Sequence, residues 1–267
     1  MSRFLLVIPA FEESARLPAF LENLASDLEA GSFSASILVV DDGSGPEERD
    51  AVARAVTDLA TRHPSILPPL LLPKNQGKGG AILAGWSAGH TASWFGFVDA
   101  DGATPAREVA RVLRLVCESG SPAECFFASR IRLLGRMVER KASRHLLGRV
   151  YATLVGCLIH PGVYDSQCGF KILSARAFAA IRDTISERRF AFDVDLIAAL
   201  IDAGMTIEEV PIDWKDIPGS KVSFVKDTVK MFVSLLRIRA KRNTRRAAIP
   251  VEAQPALPVD PCKSSAK

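Results

Sequence analysis

Uninterrupted apolar runs alternate with amphipathic stretches through the first half of the chain. Phe4 to Ile8 is the first run, and it ends at Pro9. After Glu12, Glu13 and Ser14, the residues Leu17, Leu21, Leu24 and Leu28 recur at helical spacing, with Pro18 in the first turn, where its missing N–H is harmless. Ile37 to Val40 is a second run, closed by Asp41-Asp42-Gly43-Ser44. Pro46 opens another helical pattern, with Val52, Ala55, Val56 and Leu59 on one face. Leu70 to Leu72, Trp94 to Val98 and Cys125 to Ala128 are further short runs, and Ala106 to Cys117 reads as the helix before the last of them. Strands that are apolar along their whole length are buried on both faces. Their alternation with helices predicts an α/β fold with a parallel sheet of Rossmann type.

The second half changes character. From Arg130 to Arg149 the chain carries Arg130, Arg132, Arg136, Arg140, Lys141, Arg144 and Arg149 against one acid, Glu139, and an apolar stretch, Val150 to Ile159, follows. A short helix is expected through Ile181, another from Phe190-Ala191-Phe192 to Ala203, and a strand over Thr206 to Ile212. Phe224 to Ile238 is amphipathic and runs into Arg237, Arg239, Lys241, Arg242, Arg245 and Arg246. Basic side chains beside an apolar helix suit a membrane surface or an anionic lipid head, and a core helix with a solvated basic flank fits the same pattern. Residues 247–267, rich in Pro, Ala and Ser, are expected to be a disordered tail after a domain spanning 1–246.

At 267 residues the chain is long enough for one large α/β domain. A net charge of +4 is too small to imply nucleic acid, and none is expected as a partner. The cysteines 117, 125, 157, 168 and 262 show no CxxC, which favours reduced thiols and a cytoplasmic setting. The chain runs straight into a strand, so no signal peptide is expected, and no uncharged run reaches the ~20 residues of a spanning helix.

Two stretches carry chemistry. Phe97-Val98-Asp99-Ala100-Asp101-Gly102 delivers two carboxylates to the carboxyl end of a strand, where ligands bind in open α/β sheets. Such a pair suits Mg²⁺ or Mn²⁺ bridging to substrate phosphates; a solvated turn is the alternative. Lys74-Asn75-Gln76-Gly77-Lys78-Gly79-Gly80 precedes a helix, so its N–H groups could approach an anion with Lys78 adding charge. A glycine helix cap is the other reading, and a Walker loop is excluded by the order of residues.

Val7-Ile8-Pro9-Ala10-Phe11-Glu12-Glu13, Val39-Val40-Asp41-Asp42-Gly43-Ser44 and Asp99-Ala100-Asp101-Gly102 together resemble the nucleotide-sugar half of family 2 glycosyltransferases. Asn75 to Ala81, Asp165-Ser166-Gln167-Cys168-Gly169-Phe170-Lys171, Ala191-Phe192-Asp193-Val194-Asp195 and Trp214 to Lys221 are similar to the polyprenyl-phosphate branch, the dolichyl-phosphate β-glucosyltransferases in particular. The resemblance spans about residues 4 to 240. It departs at Gln76, where an arginine is usual, and in showing no N-terminal anchor before the first strand.

The resemblance implies a GT-A fold, a mixed and mostly parallel central sheet flanked by helices. It implies an inverting transferase that moves a hexose, most closely glucose, from a UDP-sugar to a polyprenyl phosphate at the cytoplasmic face of a membrane. Residues 130–160 and 222–240 would face acceptor and membrane. Pro9, Phe11, Glu13, Val40 and Asp42 would hold the nucleobase and ribose. Asp99 and Asp101 would hold Mg²⁺ or Mn²⁺ on the diphosphate, with Ala100 against the nucleotide. Arg130 would meet phosphate, and Lys78, Lys215 and Lys221 would add charge around the donor. A hydroxyl acceptor would need a carboxylate base, for which Asp165, Asp193 and Asp195 are candidates or else structural caps; a phosphate acceptor needs none.

Overall fold

The computed structural model describes residues 4–131, 137–139, 153, 155–156, 162–189, 191–217 and 233–242. Lys221, the tail 247–267 and most of the 130–160 and 222–240 stretches expected to face acceptor and membrane lie outside them.

Strands β1 (Phe4–Ala10), β2 (Ala35–Asp41), β3 (Leu70–Leu71) and β4 (Trp94–Val98) alternate with helices α1 (Leu17–Ala30), α2 (Pro46–Arg62) and α3 (Lys78–Trp86). Then come α4 (Ala106–Glu118), β5 (Cys125–Ser129), β6 (Val138–Glu139), β7 (Phe170–Ser174), α5 (Ala175–Ile181), α6 (Phe192–Asp202), β8 (Ile207–Pro211) and β9 (Trp214–Lys215). The main sheet has seven strands in the order β3-β2-β1-β4-β7-β5-β8. β1 pairs parallel with β2 and β4, and β5 with β8, whereas β7 runs antiparallel to both β4 and β5.

β7 corrects the sequence reading, which had the Asp165 to Lys171 motif lead straight into a short helix. Its five residues, Phe-Lys-Ile-Leu-Ser, carry a charge at the second position, which breaks the apolar signature of a central strand. β6 and β9 form a separate two-stranded parallel ladder, too short to read from a pattern.

Alternate residues of β1 face opposite layers, as strand geometry requires. Phe4, Leu6 and Ile8 pack with α1, α2 and α4, while Leu5 and Val7 pack with α3, α5 and α6. α3 begins at Lys78, earlier than its apolar run suggests, and lies close on the sheet because Gly85 has no side chain. A Cβ there would approach Val7 Cγ2 to 2.7 Å. The helical residues 233–242 dock through Leu235 and Ile238 against Val155, Ala191, Val194 and Ala198. Arg242, read from sequence as part of a basic flank, is buried, its Nε 2.8 Å from Asp202 Oδ1. Among the described residues no helix is long and apolar enough to cross a membrane.

A fully buried Lys171 sits in the middle of the sheet on β7. Its ammonium donates to Ser166 O (3.1 Å), Cys168 O (2.7 Å) and Asp193 Oδ1 (2.6 Å). Three acceptors use all its N–H bonds, and the rings of Phe97 and Phe127 lie 5.5 Å from the charge. Lys171→Met removes one half of a buried pair and is expected to cost about 3 kcal/mol in a urea titration. A loss under about 0.5 kcal/mol would show that the pair is not needed for stability.

Candidate active site

A cleft of about 590 Å³ opens at the carboxyl ends of β1, β2 and β4. Pro9, Ala10, Phe11 and Glu13 line it from the end of β1, Asp42 from the end of β2, and Asp99, Ala100 and Asp101 from the end of β4. The turn into α3 adds Asn75, Gly77 and Lys78. The structure thus brings Pro9, Phe11, Glu13, Asp42, Lys78, Asp99, Ala100 and Asp101 to one place.

Three of the other expected residues are elsewhere. Val40 is fully buried, packed with Val7 beneath α3 rather than facing the cleft. Arg130 is forked onto Asp165, with Nε 2.8 Å from Oδ2 and a terminal nitrogen 2.7 Å from Oδ1, and its guanidinium lies 5.2 Å from the Trp214 ring. Lys215 has an exposed side chain, although its backbone N–H donates to Ala103 O beside the Asp-x-Asp turn. Lys221 is outside the described residues.

Two arginines in the cleft were missed from sequence. Arg16 is paired with Glu13, its Nε 2.7 Å from Oε2. Arg189 reaches over from the loop after α5, 3.4 Å from Asn75 Oδ1. Arg16 lies in the turn before α1 with no motif around it, and Arg189 is 114 positions from its partner, so no local pattern could have flagged either.

The glycine turn is a cap more than an open cradle. Asp42 accepts the Gln76 N–H at 2.7 Å and the Gly77 N–H at 2.8 Å, and the Gly80 N–H goes to Arg188 O at 3.0 Å. Gly77 takes φ +87°, and a Cβ there would come within 2.6 Å of Arg188 O. Burial raises the Asp42 carboxyl above its ordinary value in spite of those two donors.

Lys78 points into the cleft rather than along the turn. Its Nζ is 2.8 Å from Asp99 Oδ1 and 3.6 Å from Asp193 Oδ2. Burial works against this ammonium, but Asp193 and then Asp99 outweigh it and raise its pKa. Burial raises the Asp99 carboxyl, Lys78 draws it back, and Asp101 adds to the rise. For Asp193, burial is overcome by Lys171 and Lys78, which hold the carboxyl below the ordinary 3.8. Asp101 Oδ1 accepts the Ala103 N–H at 3.0 Å, and Gly102 supplies the left-handed turn at φ +72°.

The donor set fits a hard divalent cation held jointly with substrate. Two carboxylates stand at one strand end in an open cleft, and among the described residues no third acid, histidine or cysteine joins them. Mg²⁺ and Mn²⁺ sites of this kind take their remaining ligands from water and phosphate oxygens.

The three candidate bases are all committed. Asp165 holds Arg130, and Asp193 lies between two lysines. Asp195 accepts the Ser186 N–H (2.7 Å), the Ser186 hydroxyl (3.2 Å) and the Glu187 N–H (2.9 Å), capping the loop that carries Arg189. Burial pushes the Cys168 thiol up to about 12, which leaves it unreactive.

Comparison with known proteins assigns this architecture. The profile of glycosyl transferase family 2 matches residues 5–181. The chain belongs to that family. Dolichyl-phosphate β-glucosyltransferase of Dictyostelium discoideum is 31% identical over 242 residues, covering 87% of this chain and 72% of the relative. The Homo sapiens protein of that name is 30% identical over 245 residues, covering 88% and 74%. Among solved structures, glucosyl-3-phosphoglycerate synthase from Mycobacterium tuberculosis, in complex with Mn²⁺, uridine-diphosphate and phosphoglyceric acid, superposes with a TM-score of 0.66 at 14% identity over 90% of this chain and 78% of that one. The family's fold is GT-A, and the mixed seven-stranded sheet is this chain's version of it.

In this family member, Gly169 decides where Asp99 sits. Its carbonyl accepts the Asp99 N–H at 2.9 Å, and a Cβ on it would fall 1.9 Å from Asp99 Oδ2. Gly169→Ala is therefore expected to displace the Asp99 carboxylate in a crystal structure and to cost about 1–3 kcal/mol in chemical denaturation. An unmoved carboxylate would contradict the packing described. Asp193 makes a pH prediction. Its folded value is depressed, so its contribution is complete above the ordinary 3.8 and is lost as the pH falls below 3.8 through the lower folded value. The wild type should lose stability as the pH falls below about 4, and Asp193→Asn, already weaker at neutral pH, should lose less over that interval. Equal losses in matched urea titrations would remove Asp193 from the account.

Proposed function

We propose that this chain transfers a hexose, glucose in first place, from a UDP-sugar to a polyprenyl phosphate, with inversion at the anomeric carbon. The relatives named dolichyl-phosphate β-glucosyltransferase support the reading across almost the whole domain. The observation that carries it from this structure is the commitment of Asp165, Asp193 and Asp195 to lysine, arginine and backbone partners. A hydroxyl acceptor needs a group to take its proton. A phosphate acceptor is already anionic and attacks without one.

Pro9, Phe11, Glu13 and Asp42 take the nucleobase and ribose in this reading. Arg16, Lys78 and Arg189 give the cleft its positive charge. Asp99 and Asp101 would hold Mg²⁺ or Mn²⁺, and the ion would supply countercharge to the departing nucleoside diphosphate. A phosphate oxygen of the acceptor forms the new bond to the anomeric carbon as the bond from that carbon to the β-phosphate oxygen breaks, and the electron pair leaves with UDP. Arg130 is assigned to positioning, because its fork fixes the segment that contains Gly169. Lys215 and Lys221 add charge around the donor in this reading. Val233 and Leu236 are exposed on the helical residues 233–242 beside exposed Arg237 and Arg239, a surface suited to peripheral contact at the cytoplasmic face of a membrane.

The test offers UDP-glucose, UDP-galactose and GDP-mannose with Mg²⁺ or Mn²⁺, each with and without a polyprenyl phosphate in detergent, and analyses the lipid by mass spectrometry. A hexosyl-phosphoprenol from UDP-glucose is expected, and Asp101→Asn should lower its rate by at least about a hundredfold. Nucleotide release only with soluble hydroxyl acceptors would overturn the lipid acceptor. Unchanged turnover in Asp101→Asn would overturn the cation role.

A further inference from the structure

The cation nearest the Asp-x-Asp turn is one the chain supplies itself. Lys78 Nζ lies 2.8 Å from Asp99 Oδ1, within hydrogen-bonding distance of a ligand that the preceding reading gives to the metal. The same ammonium is 3.6 Å from Asp193 Oδ2 and 5.0 Å from the centroid of the Phe97 ring. Asp193 is met from below by Lys171 at 2.6 Å. Charges therefore alternate along one line, Lys171, Asp193, Lys78, Asp99, from the fully buried end to a carboxylate side chain that is 40% exposed.

We infer that Lys78 is a resident counter-ion of Asp99, competing with the divalent cation for that carboxylate, and that Asp193 receives the ammonium when it gives way. Two cations cannot share one carboxylate oxygen at contact distance without strong repulsion. Asp193 offers the ammonium a second acceptor within a short swing, so the charge is not stranded when Asp99 is taken. Without Lys78, the Asp99 and Asp193 carboxylates would lose the ammonium that lies between them. Cation binding alone is weakened by the displacement it requires, and it is favoured when a diphosphate brings further ligands to the cation. Lys78 acts here on the cation ligand, a role distinct from the phosphate cradle that the glycine turn suggested.

The inference rests on Asp99 and Asp101 being cation ligands, and the test separates the two. Mn²⁺ is titrated into the purified full chain without nucleotide, and free Mn²⁺ is read by electron paramagnetic resonance. Lys78→Met is expected to bind Mn²⁺ roughly five- to tenfold more tightly than the wild type, the usual size of a coupling between two ligands. Lys78→Gln carries the same expectation should the methionine variant fold poorly; in both, Asp193 keeps Lys171. Lys78→Arg retains the charge in a form that can fork onto Asp99, and its affinity should stay at the wild-type level or below. Affinity unchanged or weakened in both Lys78→Met and Lys78→Gln overturns the competition and leaves the cation site standing. Tightening in Lys78→Arg as well would also overturn it, since the charge would then not be what competes. Absence of Mn²⁺ binding in every protein removes the cation reading and this inference with it.

Discussion

A carboxylate buried between two ammonium groups sets the floor of the cleft. Asp193, in the first turn of α6, is bonded to Lys171 from β7 and faces Lys78 from the start of α3. Burying charge is costly unless every member is paired and hydrogen-bonded. Here Lys171 has three acceptors and two aromatic faces, so the cost is offset within the network. The arrangement fixes α6 against β7 and both against α3. It also decides which way Lys78 points, and therefore what charge meets Asp99 at the rim.

The parallel strands β1, β2 and β4 place the cleft residues at their carboxyl ends, but they do not complete the site. The antiparallel β7 brings Gly169 against Asp99, in a gap that admits no side chain. The loop after α5 is held by Asp195 at one end and by the Gly80 N–H at the other, so Arg189 is suspended over the turn before α3. The same loop receives Lys241 Nζ at Thr184 O and the Ser234 hydroxyl at Glu187. One side of it therefore touches the donor cleft and the other the C-terminal helical residues. The C-terminal helical residues and the cleft share a structural element through these bonds.

The parts of this site that were legible in the sequence are those whose signal is local. The two apolar runs that ended in acid, β2 at Asp41-Asp42 and β4 at Asp99-x-Asp101, could be placed as buried strands delivering carboxylates to the carboxyl end of the sheet. The parts that were not legible depend on partners far along the chain. Lys171 inside a strand looks like a loop residue until Asp193 is known to lie against it, 22 positions on. Arg130 after a strand looks available for phosphate until Asp165 is found holding it, 35 positions on. Val40 shared a motif with Asp42, yet Val40 lies within β2 and packs with Val7 beneath α3, whereas Asp42 follows the end of the strand and lines the cleft. The resemblance supplied the mixed sheet; apolar periodicity alone pointed to a parallel one.

The commitment of the acidic side chains bears on the chemistry more directly than their number does. An enzyme that deprotonates a hydroxyl needs a carboxylate that is ionised, within reach, and free to accept a proton. Asp193 fails the last condition, because taking a proton would strand Lys171 in the core. Asp165 fails it for Arg130, and Asp195 would lose the cap that positions the loop of Arg189. Asp99 and Asp101 are the ligands proposed for the cation, so protonating either would weaken the hold on the charge that would stabilise the leaving group. An acceptor that arrives already ionised resolves the conflict. It leaves these five acidic side chains in their structural or electrostatic roles, and it draws on the positive charge of Arg16, Lys78 and Arg189 that lines the cleft.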